Sequence, residues 1–333
     1  MLMPAVELHV HLEGTFEPEL IFAIAERNGM TLPYDDVEDL RRRYEFTGLQ
    51  SFLDLYYENM AVLRTEQDFA DLARAYLGRA RAGGVHHAEV FFDIQAHTAR
   101  GVPAEVALRG VSEALVASER EFGISTGLIV TFLRHLPAAE AMASLQEILR
   151  LDVPVLGVGL CSSEIGSAAP FKDVYDLAAA HGLRRVAHAG EEGPAANVRE
   201  VLDVLGAERV DHGIRALEDE DLVARLARER VPLTLCPLSN VRLRVVEDLA
   251  DYPLRRMLEA GLVVTVNSDD PAYFGGYVED NFHRLTEALD LSVDELAVLA
   301  RNGVEAAFVD DARRAELAAR TDAWVDAHRT TRA

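Results

Sequence analysis

Short runs of apolar and β-branched residues recur along the chain, and each gives way to a stretch whose apolar residues return every three or four positions. That alternation predicts strands of a parallel sheet joined by helices that cover it. Strands are predicted over 6–11, 87–92, 127–132, 155–160, 185–189, 209–213, 232–236 and 263–268. Eight strands within 333 residues suit a closed (β/α)8 TIM barrel of class α/β. Helices are predicted over 18–28, closed by Gly29, and over 219–230, where Leu222, Leu226 and Ala227 share one face.

The interval between the first and second strands departs from this rhythm. Residues 30–80 keep a helical period but exceed an ordinary connection, which predicts an elaborated helical insert after strand 1. Near the other end, Ser292 and Glu295 form a capping-box pattern that opens a last helical region. Its polar end, 329–333, is expected to fray. No Gly/Ser/Pro linker or low-complexity tract divides the chain, so one domain over 1–333 is expected.

Composition narrows the function. At 49% hydrophobic residues the chain can bury a large core. Lys and Arg total 33 against 56 Asp and Glu, and the net charge of −23 would repel a phosphate backbone, so no nucleic-acid partner is expected. Two cysteines, Cys161 and Cys236, support no disulfide framework and lack zinc-knuckle spacing, so both read as reduced and buried. Met1 to Pro4 show no basic stretch followed by an apolar one, and no later run approaches the roughly 18 apolar residues of a membrane span. A soluble, cytoplasmic protein without a membrane partner is expected, and its oligomeric state leaves no signal.

The candidate chemistry lies where predicted strands end. His9 and His11 close the first strand, His188 the fifth, His212 the sixth, and Asp269 and Asp270 the eighth. Barrel enzymes keep their active sites at the C-terminal ends of strands. In an extended strand, His9-Val-His11 puts both imidazoles on one face. Alone, such a pair reads equally as a surface or core feature; His188 and Asp269 extend it to a three-His, one-Asp shell for a borderline metal such as Zn²⁺, one per subunit, with room for water.

Glu191 follows His188 at the top of the barrel without being needed as a ligand, and burial would tune it as a proton carrier. His212 suits the partner of an activated water. Adjacent Asp269 and Asp270 repel one another unless a cation or donor compensates each, which gives one to metal and the other to a ligand. The small-residue loop from Gly157 to Gly166, with Ser162 and Glu164, allows close approach of a flat ligand, although ordinary loop packing accounts for it as well. His86, His87, His97, His135, His181, His283 and His328 converge on nothing and read as structural or exposed; Arg134-His135 after the third strand is the pair to watch.

Five segments, Val6-Glu-Leu-His-Val-His-Leu-Glu-Gly14, His188-Ala-Gly-Glu191, Asp211-His-Gly213, Cys236-Pro-Leu-Ser-Asn240 and Asn267-Ser-Asp-Asp-Pro271, together resemble the adenosine/adenine deaminase family of the amidohydrolase superfamily. They fall in family order, and the resemblance as a whole runs from about residue 4 to about residue 310. The resemblance implies His9, His11, His188 and Asp269 as zinc ligands, Glu191 as proton shuttle to purine N1, His212 as partner of the attacking water and Asp270 as the contact to purine N7. The loops at 159–166, 188–193 and 269–276 are most similar to the adenine branch, and so is Glu13, whose length would fill part of a sugar's space where the nucleoside branch has Asp. Cys161 departs from that branch, which carries Asp there, and the chain starts only a few residues before the first strand.

The expected reaction is attack of a zinc-activated water on C6 while Glu191 protonates N1, releasing ammonia and turning adenine into hypoxanthine. Asp270, Ser162, Glu164 and Glu13 are the expected substrate-binding residues. Adenosine, an N6-substituted adenine such as a cytokinin, and 6-aminodeoxyfutalosine are alternative substrates, and a non-catalytic purine-binding barrel is the alternative of another class. Superfamily hydrolysis of amides, lactones or phosphoesters often uses a bridging Lys, and the lone Lys172 lies off every predicted strand end.

Overall fold

The computed structural model describes residues 3–330. Eight strands follow one another round a single parallel sheet: β1 (Ala5–His11), β2 (Val85–Phe92), β3 (Ser125–Leu133), β4 (Gly157–Cys161), β5 (Arg184–Ala189), β6 (Arg209–His212), β7 (Leu233–Leu235) and β8 (Val264–Val266). Each pairs parallel with the next. The chain is a (β/α)8 TIM barrel, as its hydrophobic pattern predicts.

Closure between β8 and β1 is made largely by polar residues. Leu8 N donates to the Asn267 side chain at 2.8 Å, while Asp269 N donates to His9 O and His11 N to Asp269 O. The candidate ligand Asp269 therefore bridges to Val10 as part of the closing seam. β7 and β8 are shorter than predicted, because Cys236 already caps the helix Pro237–Arg242 and Asn267 turns its side chain to β1.

The predicted insert is present as three helices, α2 (Val37–Arg42), α3 (Leu49–Asn59) and α4 (Glu66–Ala82), after α1 (Pro18–Arg27). Thr65 and Asp68 cap α4 reciprocally. Phe52, Leu53 and Tyr56 of α3 are buried facing the C-terminal mouth of the barrel. At the far end of the chain, the Ser292–Glu295 box caps the helix Val293–Ala306 as expected. The predicted fraying is not seen at Arg329, which lies within the helix Asp311–Thr330 and pairs with Asp294; 331–333 lie outside the described residues, as do Met1 and Leu2.

The barrel interior is layered. Phe91, Ile129 and Val186 form an apolar layer beneath the strand ends. Below it the fully buried Arg209 guanidinium donates to Glu89 at 2.6 Å and lies over the Phe308 ring. Removing two charges from water is costly, and this pair persists because Leu8 O and Ala306 O take further guanidinium protons. Among the described residues, no helix is long and apolar enough to cross a membrane.

Candidate metal centre and active site

His9 and His11 share a face of β1 and meet His188 at the end of β5 over the Phe91 ring. Each imidazole turns Nδ1 outward to a fixed partner. His9 Nδ1 lies 2.9 Å from Thr234 Oγ1, whose own hydroxyl donates to Asp211, so the threonine accepts the Nδ1 proton. His188 Nδ1 faces Asp211 Oδ2 at 3.4 Å and His11 Nδ1 faces Asp93 Oδ1 at 3.6 Å. These partners favour the tautomer that leaves Nε2 with a free lone pair.

The Nε2 atoms converge. His11 Nε2 and His188 Nε2 lie 3.1 Å apart, and Asp269 Oδ1 is 3.2 Å from His9 Nε2 and 3.6 Å from His11 Nε2. Ligand atoms of His9, His11, His188 and Asp269 all fall within 4.8 Å of one another, and all four residues are buried. His9 Nε2 has no hydrogen-bond partner there. A buried, orphaned nitrogen among two further imidazoles and a carboxylate fits a divalent N/O-coordinated cation. Burial alone would raise the Asp269 carboxyl, but His9, His212 and His11 hold it well below the usual carboxylate range.

Facing this cluster are Glu191, His212 and Asp270. Glu191 Oε2 lies 3.4 Å from His212 Nε2, and its Oε1 has no partner. Burial, reinforced by Asp269, Glu164 and Glu192, pushes the Glu191 carboxyl well above its ordinary value. Burial and then Asp269 do the same to Asp270, whose Oδ1 is likewise unpartnered. His212 is driven well below its ordinary value by burial and the neighbouring His9, which keeps it neutral. The site thus presents to one cavity two carboxyl groups biased toward the protonated form and an imidazole biased toward the neutral one.

Local backbone serves this arrangement. Ser162, His212 and Asp269 adopt left-handed φ of 71°, 63° and 65° at or just past the ends of β4, β6 and β8. Such conformations cost about 1–2 kcal/mol in a non-glycine residue and cluster where function over-determines them. Gly14 is needed for a different reason: a Cβ there would lie 2.1 Å from Asp270 Oδ1.

The cavity itself measures about 40 Å³, roughly the space of one water, and is roofed by Phe52, Leu53, Tyr56 and Tyr57 of α3. Ser162 and Cys161 line it alongside the candidate ligands. A larger cavity of about 670 Å³ opens at the N-terminal end of β3 and β4 near Arg313 and Phe308, away from every cluster of metal-ligating side chains among the described residues.

Two residues expected to bind substrate do not line the cavity. Glu13 is fully buried, and its Oε1 accepts from Asp93 N at 2.9 Å and from His97 Nε2 at 2.8 Å. Glu164 is turned under the loop after β5, where it accepts from three backbone amides and Asn197. Conversely, Asp93, Asp211, Thr234 and Tyr56 were not singled out from sequence. Asp93 follows β2 directly, so the strand-end rule would have found it; its Oδ1 accepts from Thr131 and Cys161, and its Oδ2 from Tyr56 at 3.2 Å.

Comparison with known proteins gives a consistent picture. The adenosine deaminase family model matches residues 4–324. An adenine deaminase of Streptomyces coelicolor is 59% identical over 330 residues, covering 99% of this chain and 96% of that protein. The crystal structure of an adenine deaminase from Arthrobacter aurescens superposes with a TM-score of 0.96 at 58% identity, covering 97% of this chain and 99% of that one. An amidohydrolase from Burkhoderia ambifaria, crystallised with bound Zn, superposes with a TM-score of 0.89 at 28% identity, covering 99% and 92%.

Proposed function

This chain belongs to the adenosine deaminase family, and from that premise we propose that it is a zinc-dependent adenine deaminase, converting adenine and water to hypoxanthine and ammonia as one catalytic domain. The observation that carries the reading is the convergence of His9, His11, His188 and Asp269 opposite Glu191, His212 and Asp270 at one cavity. A Zn²⁺ ion, one per subunit, held by those four ligands would supply Lewis acidity and draw the pKa of a water toward neutrality.

The remaining chemistry belongs to the chain. Glu191, kept protonated by burial, donates to purine N1 as C6 becomes tetrahedral. Neutral His212 has a nitrogen with which to orient the attacking water and accept its proton. Asp270, also protonated, donates to N7, which is an acceptor. The first proton that leaves the water passes from His212 to the departing amine, and the remaining hydroxyl proton returns to Glu191 as the C6–N bond breaks, so ammonia is released, the 6-oxopurine remains and Glu191 is again protonated.

Adenine rather than a nucleoside is favoured by the adenine deaminases of Streptomyces coelicolor and Arthrobacter aurescens, which are 59% and 58% identical to this chain over nearly its full length. The setting proposed for it is purine salvage in the cytoplasm. Steady-state hydrolysis of adenine, adenosine, N6-methyladenine and isopentenyladenine by the zinc-loaded protein tests the choice, read as ammonia release and ultraviolet shift. The highest kcat/KM is expected for adenine; a preference for a nucleoside or an N6-substituted base would move the activity within the family.

A further inference from the structure

Glu164 makes more fixed contacts at the site than any group proposed to touch substrate, and it touches none of the space substrate would fill. Its Oε1 accepts from Glu191 N at 2.7 Å and Gly193 N at 3.1 Å, while Oε2 accepts from Gly190 N at 2.9 Å and Asn197 Nδ2 at 2.8 Å. Four donors fix a buried carboxylate in one orientation, and charge-assisted bonds of this kind are among the stronger ones in proteins.

The surrounding backbone explains why such a clamp is needed. β4 and β5 pair through Gly157–Arg184 and Val158–Arg185, at the base of the seam. Above it the Val186 carbonyl is taken by the Tyr175 hydroxyl, and the His188 carbonyl by Arg134 Nη2 at 2.6 Å. The loop bearing Glu191 thus rises from a stretch of strand tied by side chains, and Glu164, reaching over from the loop after β4, holds its amides. Gly190 has φ of +70°, a conformation suited to glycine, and a Cβ on Gly193 would sit 2.5 Å from Glu164 Oε2 and 2.1 Å from Asn197 Nδ2. Gly193 is therefore placed where the carboxylate has to approach the backbone, while a Cβ on Gly190 would instead meet Val198 at 2.7 Å.

We propose that Glu164 is a positioning residue for the proton shuttle: its carboxylate sets the backbone of 190–193 and thereby aims the Glu191 carboxyl at the purine ring, without contacting substrate itself. This rests on the adenine deaminase reading above. A displacement of about 1 Å in a reacting group can cost on the order of 100-fold in rate, so the effect is expected in kcat. In Glu164→Gln the new NH₂ group cannot accept, so one side of the clamp sets donor against donor.

The test compares wild type, Glu164→Gln, Glu191→Gln and the double variant with adenine, each at measured zinc content. Expected are a 10- to 100-fold lower kcat in Glu164→Gln with KM changed less than threefold, and less than a twofold further loss when Glu164→Gln is added to Glu191→Gln, because groups acting as a unit are not additive. Gly193→Ala, which displaces the carboxylate but leaves its charge, is expected to repeat the kcat loss and serves if Glu164→Gln does not fold. An unchanged kcat, a KM that rises as far as kcat falls, or a full multiplicative loss in the double variant would overturn the positioning role while leaving the deaminase reading intact. A zinc-loaded wild type that turns over no purine would overturn both.

Discussion

At the scale of single residues, the account turns on protonation. Glu191 must carry a proton to give one to N1, and its carboxyl is raised by burial, so activity should be lost as pH rises through that elevated pKa rather than gained. Glu191→Gln is expected to lower kcat by about 10²- to 10⁴-fold with KM nearly unchanged, read from steady-state kinetics. The ligand side titrates in the opposite sense. Burial pulls the metal-free His11 imidazole down, but Asp270, Asp93 and Asp269 outweigh it and hold it at about 10. Zinc must displace that proton, so zinc affinity measured by chelator competition should rise by up to about tenfold per pH unit between pH 6 and 8; an affinity flat with pH would contradict this assignment. The convergence of His9, His11, His188 and Asp269 was legible because strand periodicity and strand ends alone bring them together at one end of the barrel. That Glu13 and Glu164 turn to backbone amides and side chains rather than into the cavity was not legible, because a long side chain can reach either and sequence spacing carries no information on that choice.

Among the elements, the eight strands were legible because each is a short apolar run bounded by turn residues, and the limits of β7 and β8 were not, because they depend on side chains that take over the hydrogen bonds of the ladder. The existence of the insert was likewise legible, whereas its role as a roof was not, since helical periodicity does not reveal which face covers the barrel mouth. The capping box at Ser292 is the clearest local signal in the chain. Ser292 Oγ accepts from Glu295 N at 3.2 Å while Glu295 Oε2 accepts from Ser292 N at 2.8 Å. Ser292→Ala should cost about 1 kcal/mol in urea unfolding and leave kinetics with adenine unchanged, since the helix it caps lies outside the cavity.

For the whole molecule, a polar interior supports the catalytic end of the barrel. Glu89 is buried, which would raise its carboxyl, yet Arg209 and His87 hold it below the usual range. A carboxylate lowered in this way contributes stability that is present above its unfolded pKa and lost as pH falls through the folded one. Arg209→Met removes, among the described residues, the only full cation beside that charge, leaving it to His87 and the Phe308 amide, and is expected to cost about 3 kcal/mol at pH 8, with the deficit shrinking at lower pH as Glu89 takes up a proton; urea unfolding at the two pH values measures both. The pair was invisible in sequence because Glu89 and Arg209 are 120 residues apart and meet only when the barrel closes.

The central claim is that the four converging ligands make adenine hydrolysis depend on one metal ion. Titrating chelator-stripped protein with Zn²⁺ while following ammonia release from adenine tests it most directly. The account predicts negligible turnover without metal and activity that saturates at one equivalent per subunit. Full activity in the stripped protein, or none at any zinc concentration, would contradict it.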